Sequence, residues 1–330
     1  MIRQVKLQSF AKINLDLRVL HRRLDGFHEL RTVFQTISLA DTVTIRYEPA
    51  RRTELEIDDE LQIPDNLILR AARAVLNAMR TQARVHFHLE KQIPMGGGLG
   101  GGSSNAASVL LALPVLAGKE LSAEQLLPIA ESLGSDIPFF LVGGTAIGIG
   151  RGTELYSLPD VDEVPILVIA PGVHVATGPA YQALSRSLTF EESSSSIRTF
   201  QSFVRALGGV CPAEAVDAFG ANDFESVVFS QYPQIKKLAG RLWKSGATAV
   251  RMTGSGSAIF GIFDSVAARD RARAGLTRER GFEGCRILPA ELLSRRSYER
   301  QWKNQLRGHV AKEFVAGDKV TWPPRSRYAR

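Results

Sequence analysis

Cysteine is scarce in this sequence, with two in 330 residues, Cys211 and Cys285, far apart in the chain. That excludes a disulfide framework and a cysteine zinc cluster, and it reads as a protein of a reducing, cytoplasmic compartment. No apolar run approaches the ~20 residues that a membrane-spanning helix needs. The first residues alternate apolar and polar and show no charged leader followed by an apolar stretch, so no secretory signal is expected. Internal repeats are lacking as well. His86 and His88 share one strand face, but no third metal ligand stands near them, and His21 and His174 show no ligand spacing. An excess of one charge is also missing from most of the chain. The formal net charge is +7. From Ser294 onward ten Lys and Arg face three acids, so the whole excess lies in the last 37 residues and the body is neutral. Basicity therefore supports nucleic-acid binding only as a property of the tail. There Tyr298, Trp302, Trp322 and Tyr328 interleave with cations, which would suit stacking on a single strand. A solvated or subunit-packing tail is the preferred reading.

What is present is a mixture of strand and helix patterns. Val5, Leu7, Ile13, Leu15, Leu17 and Val19 recur with period two. A turn follows at Asp25-Gly26, and "RTVFQTISL", "DTVTIRYE", "TELEID" and "ARVHFHLEKQI" read as further strands. "DNLILRAARAVLNAMR" has helical spacing behind an Asp65 or Asn66 cap, and "SAEQLLPIAESLG" is a helix capped by Ser122. "IPFFLVGGTAIGIGRGTEL" reads as strand. A second unit begins near Val164 with the strand "PILVIAPG"; "FEESSSSIRTF" reads as a polar loop, and helices are expected over 213–230 and 233–245. "ATAVRMTGSGSAIFGIFD" is a strand, glycine turn and strand. The sum is an α+β chain with two layers per domain.

The densest signal is "PMGGGLGGGSSNAASVLLAL", residues 94–113. It contains G-x-G-x-x-G, but it follows several strands and not the first strand of a βαβ unit, so a dinucleotide fold is not indicated. No Gly-Lys-Ser/Thr ends it, so it is not a Walker A loop. A glycine-rich loop running into a helix at about Ser103 turns backbone N–H groups and the positive end of a helix dipole toward one point. That is a cradle for an anion, and six glycines in seven positions point to a polyphosphate passing close to the backbone.

These residues carry a resemblance. "PMGGGLGGGSSNAA" resembles the central phosphate loop of the GHMP kinases, "AKINLDLRVLHRRLDGFHEL" their N-terminal motif and "RMTGSGSAIFGIF" their C-terminal glycine motif. With "LGSDIPFF" the similarity covers roughly residues 3–293, in the family's order. It implies a two-domain GHMP kinase fold, with a ribosomal protein S5 domain 2-like N-terminal domain over 1–160 and a ferredoxin-like C-terminal domain over 161–302. A basic tail is left at 303–330. The reaction it implies is transfer of the ATP γ-phosphate to a hydroxyl of a small cytidine diphosphate-linked methylerythritol, on a route to isoprenoid precursors that does not pass through mevalonate.

The resemblance also assigns residues. Asp136 falls on the carboxylate that accepts or orients the acceptor hydroxyl, and Lys12 on its partner lysine. Asn14, two residues on in a strand, faces the same side as Lys12. Phe27 and His28 would hold the cytosine with Tyr181, and Thr177 stands nearby; the family commonly has tyrosine where Phe27 stands. ATP would lie on Pro94, Gly96, Gly97, Gly98, Leu99, Gly100, Gly101, Gly102, Ser103 and Ser104, with adenosine contacts from Asn66 and Lys91. Gly254 and Ser255 would approach the transfer centre from the second domain. Mg²⁺ is expected to arrive on ATP, with no dedicated protein metal site. A monomer or weak homodimer, without membrane or nucleic-acid partners, completes the expectation.

Overall fold

The first forty-nine residues form one long hairpin. Strands β1 (Arg3–Arg22) and β2 (His28–Pro49) pair antiparallel around the Asp25-Gly26 turn. In the computed structural model, residues 1–185, 190–208, 220–311 and 322–328 are described. Cys211, the 213–219 part of the expected helix, and Lys312, Lys319 and Arg330 of the tail lie outside them. The two strands expected in 31–48 are in fact the single strand β2. Its first half pairs with β5 (Thr145–Gly150) and its second half with β4 (Ala83–Glu90), so one strand serves two neighbours in turn. β3 (Glu54–Asp59) adds to β4 in parallel, and β6 (Glu154–Ser157) closes the other edge on β5.

Helices α1 (Leu67–Ala78), α2 (Gly101–Ala117), α3 (Ala123–Leu133) and α4 (Ile137–Val142) belong to this first unit. Asn66 is the cap of α1, its side-chain oxygen accepting from Ile68 N–H at 3.0 Å. Ser122 and Gln125 form a capping box on α3. From Ser104 to Leu116 every α2 residue is buried, as its nearly unbroken run of apolar and small residues requires. "IPFFLV", expected as strand, is helix α4. Pro138 supplies a preset φ in the first turn, and Ile137, Phe139 and Phe140 face the core around that turn.

The second unit holds a four-stranded antiparallel sheet, in the order β10 (Arg286–Glu291), β7 (Pro165–Ala170), β9 (Ile259–Ile262), β8 (Ala249–Met252). One face packs on α5 (Thr177–Ser185), α7 (Phe224–Gln231), α8 (Pro233–Lys244) and α9 (Val266–Arg278). The other face meets the first unit: Ile166, Val168 and Phe260 share a cluster with Ala11, Ile13 and Leu15 of β1. This explains why β1 is buried on both faces from Ser9 to Leu20. Helix α6 (Phe190–Leu207) replaces the polar loop expected after α5. Phe200, Phe203, Val204 and Leu207 give it an apolar stripe at helical spacing, laid on the same cluster. The α+β, two-unit fold class is the one expected. Among the described residues no helix is long and apolar enough to cross a membrane.

Helix α10 (Arg295–Gln305) begins at a Ser294 cap and does not close the second unit. Tyr298, Trp302, Leu306 and Val310 enter the core of the first. The described part of the expected solvated tail also docks there. Ser326 Oγ donates to Val115 O at 2.6 Å, and the Arg3 guanidinium lies 3.8 Å from the Tyr328 ring centre. Tyr298 and Trp302, proposed above as stacking residues for a nucleic acid, are 2% and 1% exposed, so they offer no platform for bases. Trp302 sits at the centre of this docking. Trp302→Ala should cost about 3–5 kcal/mol in chemical denaturation; a loss below about 1 kcal/mol would mean that α10 is not part of the core.

Candidate active site

Two glycine-bearing segments, the 96–102 loop and the 253–256 turn, meet at the junction of the two units. Gly98 (φ +78°) lies so close to the second unit that a Cβ would sit 2.2 Å from Thr253 O. At Gly100 (φ +70°) a Cβ would reach the Phe140 ring at 2.8 Å and Lys12 Cγ at 3.1 Å. Much of the glycine in this loop is thus required by the protein's own backbone and side chains, and only in part by an anion, which corrects the simpler expectation. The close fit leaves α2 starting at Gly101, two residues earlier than expected, with Gly100 in the left-handed region as its cap. The first-turn N–H groups of α2 have no carbonyl of their own helix to pair with. Ser103 in that turn, with Gly96 and Gly98, borders a cleft of about 860 Å³.

Lys12 reaches this cleft through a break in the β1 ladder. The register shifts between Phe10 and Lys12, and the freed Lys12 N–H donates to Leu99 O at 3.0 Å. Lys12 Nζ, buried, donates to Asn14 Oδ1 at 2.8 Å and lies 3.4 Å from Asp136 Oδ2. Asp136 is the N-cap of α4, yet its carboxylate makes no cap hydrogen bond and remains directed to Lys12 and the cleft. Asn14 Oδ1 also accepts from Gly254 N–H at 2.9 Å, and its amide donates to Thr32 Oγ1 at 2.8 Å. Its oxygen is spent on protein donors, so the expected direct contact with substrate narrows to its second amide N–H.

The other end of the cleft is aromatic. His28 stacks on Tyr181 with centroids 4.8 Å apart and an interplanar angle of 21°. Tyr181 in turn meets Phe224 edge-on at 4.7 Å. Phe27, half exposed, lies under the Arg151 guanidinium at 3.6 Å. Thr177 Oγ1 and Ser255 Oγ, both at the cleft wall, are 3.0 Å apart. Burial, then the Arg22 charge, lowers the His28 pKa and keeps the ring neutral. Burial and, after it, the Asp136 charge push the Tyr181 hydroxyl far up, so it stays protonated.

Lys12, Asn14, Phe27, His28, Gly96, Gly98, Ser103, Asp136, Thr177, Tyr181, Gly254 and Ser255 therefore come together around one cleft. Other expected positions do not line it. Leu99 and Ser104 are buried, and Pro94, Gly97, Gly100, Gly101 and Gly102 form the loop and helix start beside the cleft. Asn66 is occupied by its cap and by donation to Asp59 Oδ2 at 3.1 Å. Lys91 is ion-paired with the fully buried Asp41. Asp41 also accepts from the N–H groups of Gln92 and Ile93 at 2.8 Å each, and from Asn105 Nδ2 at 3.0 Å. It ties the strand before the loop to the helix after it. Arg22, Arg151 and Thr253 were missed by sequence reasoning. A signal existed for two of them: Arg151 interrupts "GIGRG" and Thr253 opens "TGSG". Among the described residues no three His, Cys, Asp or Glu side chains converge as a metal site. His88 Nδ1 pairs instead with Asp58 at 2.8 Å.

Comparison with known proteins shows the family. The GHMP kinases N terminal domain family matches residues 66–144, and the GHMP kinases C terminal family matches residues 204–281. A Solibacter usitatus protein named 4-diphosphocytidyl-2-C-methyl-D-erythritol kinase is 49% identical over 330 residues, 99% of this chain and 98% of its own. A Geobacter metallireducens protein of the same name is 36% identical over 266 residues, 80% of this chain and 91% of its own. A crystal structure of 4-(cytidine 5'-diphospho)-2C-methyl-D-erythritol kinase is similar with a TM-score of 0.69 at 35% identity, covering 88% of this chain and 99% of that one.

The close approach at Gly98 can be tested without a ligand. Gly98→Ala should destabilise the protein by about 2 kcal/mol or more in urea. Gly102→Ala, where the nearest atom would be 3.7 Å away and the position is helical, should be neutral or stabilising. Equal stability of the two variants would refute the contact with Thr253.

Proposed function

The chain belongs to the GHMP kinases and, within them, to the 4-diphosphocytidyl-2-C-methyl-D-erythritol kinases, and from that membership we propose how its cleft performs the reaction. The enzyme transfers the γ-phosphate of ATP to the 2-hydroxyl of 4-diphosphocytidyl-2-C-methyl-D-erythritol, a step of the non-mevalonate isoprenoid pathway. The observation that carries the residue assignment is the Lys12–Asp136 pair, 3.4 Å apart, set in one cleft between the glycine loop and the His28–Tyr181 stack.

The triphosphate lies along the glycine loop, where the first-turn N–H groups of α2 and the Ser103 hydroxyl meet its oxygens. These fixed donors need no reorganisation as negative charge shifts during transfer. The cytosine lies against Phe27, His28 and Tyr181. The neutral His28 ring stands beside Tyr181 as part of the wall that meets the base. Asp136 accepts or orients the proton of the 2-hydroxyl while its oxygen forms the new bond to the γ-phosphorus. The bond from the γ-phosphorus to the β-phosphate oxygen breaks, and ADP leaves. Lys12 pairs with Asp136 and offsets the charge on the attacking oxygen. In a loose transition state of this kind, positioning and charge supply most of the rate. Mg²⁺ would come bound to the phosphates and offset their charge, with Asp136 the single carboxylate among the described residues bordering the cleft.

An ADP-release assay tests the reading directly, with the cytidine substrate run beside homoserine, mevalonate and galactose. Release with the cytidine substrate alone supports it; release with another alcohol keeps the chemistry and discards the base pocket. Asp136→Asn and Lys12→Ala should each slow turnover about 10²-fold or more while substrate binding persists. Near-normal turnover of either would remove that residue from the transfer step.

The His28 assignment predicts a pH profile. Because its pKa lies below the ordinary histidine value of 6.5, the ring remains neutral as pH falls through that value. The KM for the cytidine substrate should stay flat from about pH 8 to about pH 6.5 and rise only at lower pH. A rise centred at or above the ordinary histidine value would mean that His28 is a solvated bystander.

A further inference from the structure

Helix α4 is six residues long, too short to hold its own position in water. It carries Asp136 at its N-terminus, so the location of that carboxylate depends on what grips the rest of the helix. Its last carbonyls, and those just beyond, have no partners further along the helix. Side chains from the far end of the chain take four of them. Tyr298 OH donates to Phe140 O at 2.6 Å, and Trp322 Nε1 donates to Leu141 O at 2.5 Å. Arg295 Nη2 donates to Gly143 O at 3.1 Å and to Thr145 O at 2.6 Å.

The packing is as specific as the hydrogen bonds. A Cβ at Gly143 would sit 2.3 Å from the Tyr298 ring, and one at Gly144 would sit 2.6 Å from Arg295 Cβ. Trp322 is locked against both Tyr298 and Trp302, with centroids 6.2 and 6.3 Å away. On the opposite side, Phe140 of α4 borders Gly100 of the phosphate loop. A shift of α4 would therefore move Asp136 and press on the loop together.

We propose that Arg295, Tyr298 and Trp322 are positioning residues for the transfer step, holding α4 by its C-terminal carbonyls so that Asp136 stays in register with Lys12. The C-terminal region is then part of the working enzyme and not an appendage. This rests on the assignment of Asp136 made above.

The test uses the full-length protein with Tyr298→Phe and Trp322→Phe, singly and together. Both keep a ring in place and remove the donor to α4. At a temperature where the variants are folded by circular dichroism, the pair together should lower kcat about tenfold. The KM for ATP and for the cytidine substrate should stay within about twofold. In an Asp136→Asn background the same substitutions should cost nothing further, because the carboxylate they position is gone. Unchanged kcat in folded variants would overturn the proposal. So would a full loss that persists in the Asp136→Asn background, since the effect would then act elsewhere. If Trp322→Phe does not fold, Tyr298→Phe alone decides by the same comparison. Near-normal turnover of Asp136→Asn by itself would overturn the Asp136 assignment, and this proposal with it.

Discussion

The side-chain amide of Asn14 fixes the relation between the two halves of this enzyme. Its oxygen accepts from Lys12 Nζ at 2.8 Å and from Gly254 N–H at 2.9 Å, and the Thr253 hydroxyl stands 3.2 Å away. Its nitrogen donates to Thr32 Oγ1, whose own proton goes to Asp16 O. The donors around the oxygen admit only one orientation of the amide. One buried residue therefore holds the lysine, the second unit's glycine turn and the centre of the β1–β2 ladder in one arrangement. Aspartate would bring a buried charge, and alanine would leave the Gly254 N–H and the lysine without their acceptor.

Around this centre the junction is built from polar groups whose burial is costly. Asp16, fully buried, takes two hydrogen bonds from Arg18 at 2.9 and 3.0 Å and one from Ala221 N–H at 2.7 Å. Asp223 accepts from Val19 N–H, and Glu225 from Met252 N–H. Burial raises the pKa of all three carboxyls in spite of Arg18 and Arg251 nearby. Such groups add little net stability, but they dictate a single docking, because any other would leave them unpaired. Asn222, set among them, donates to Met252 O and Gly254 O, and so carries the same constraint to the glycine turn.

Features set by near neighbours along the chain are legible from the residues alone. The period-two run of β1, the caps of α1 and α3 and the glycine turns each depend on residues a few places apart. Lys12 and Asn14 can be placed together because a strand puts alternate residues on one face. What escapes such reading is set from a distance. "IPFFLV" reads as strand by composition; it is helical because Pro138 starts it and residues some 160 positions later cap its end. The serine run reads as a loop because the stripe at Phe200, Phe203, Val204 and Leu207 begins only after it. Arg151 stands out in "GIGRG", but its partner Phe27, in the β1–β2 turn more than 120 positions earlier, is not legible from the residues around it.

Charge is misleading in total and informative in place. The body of the chain is neutral, and cations of its basic C-terminal region are used in packing, as Arg295 is against Gly143 and Thr145. Yet the described residues bordering the cleft include Lys12, Arg22 and Arg151 against the single carboxylate Asp136, with the positive end of α2 beside them. On the proposed reading two polyanions lie there together, a triphosphate and a diphosphate-linked polyol, and they repel each other. A neutral surface with a locally positive cleft concentrates that attraction where the phosphates meet. It also leaves Asp136, paired with Lys12, as the single carboxylate among the described residues bordering the cleft.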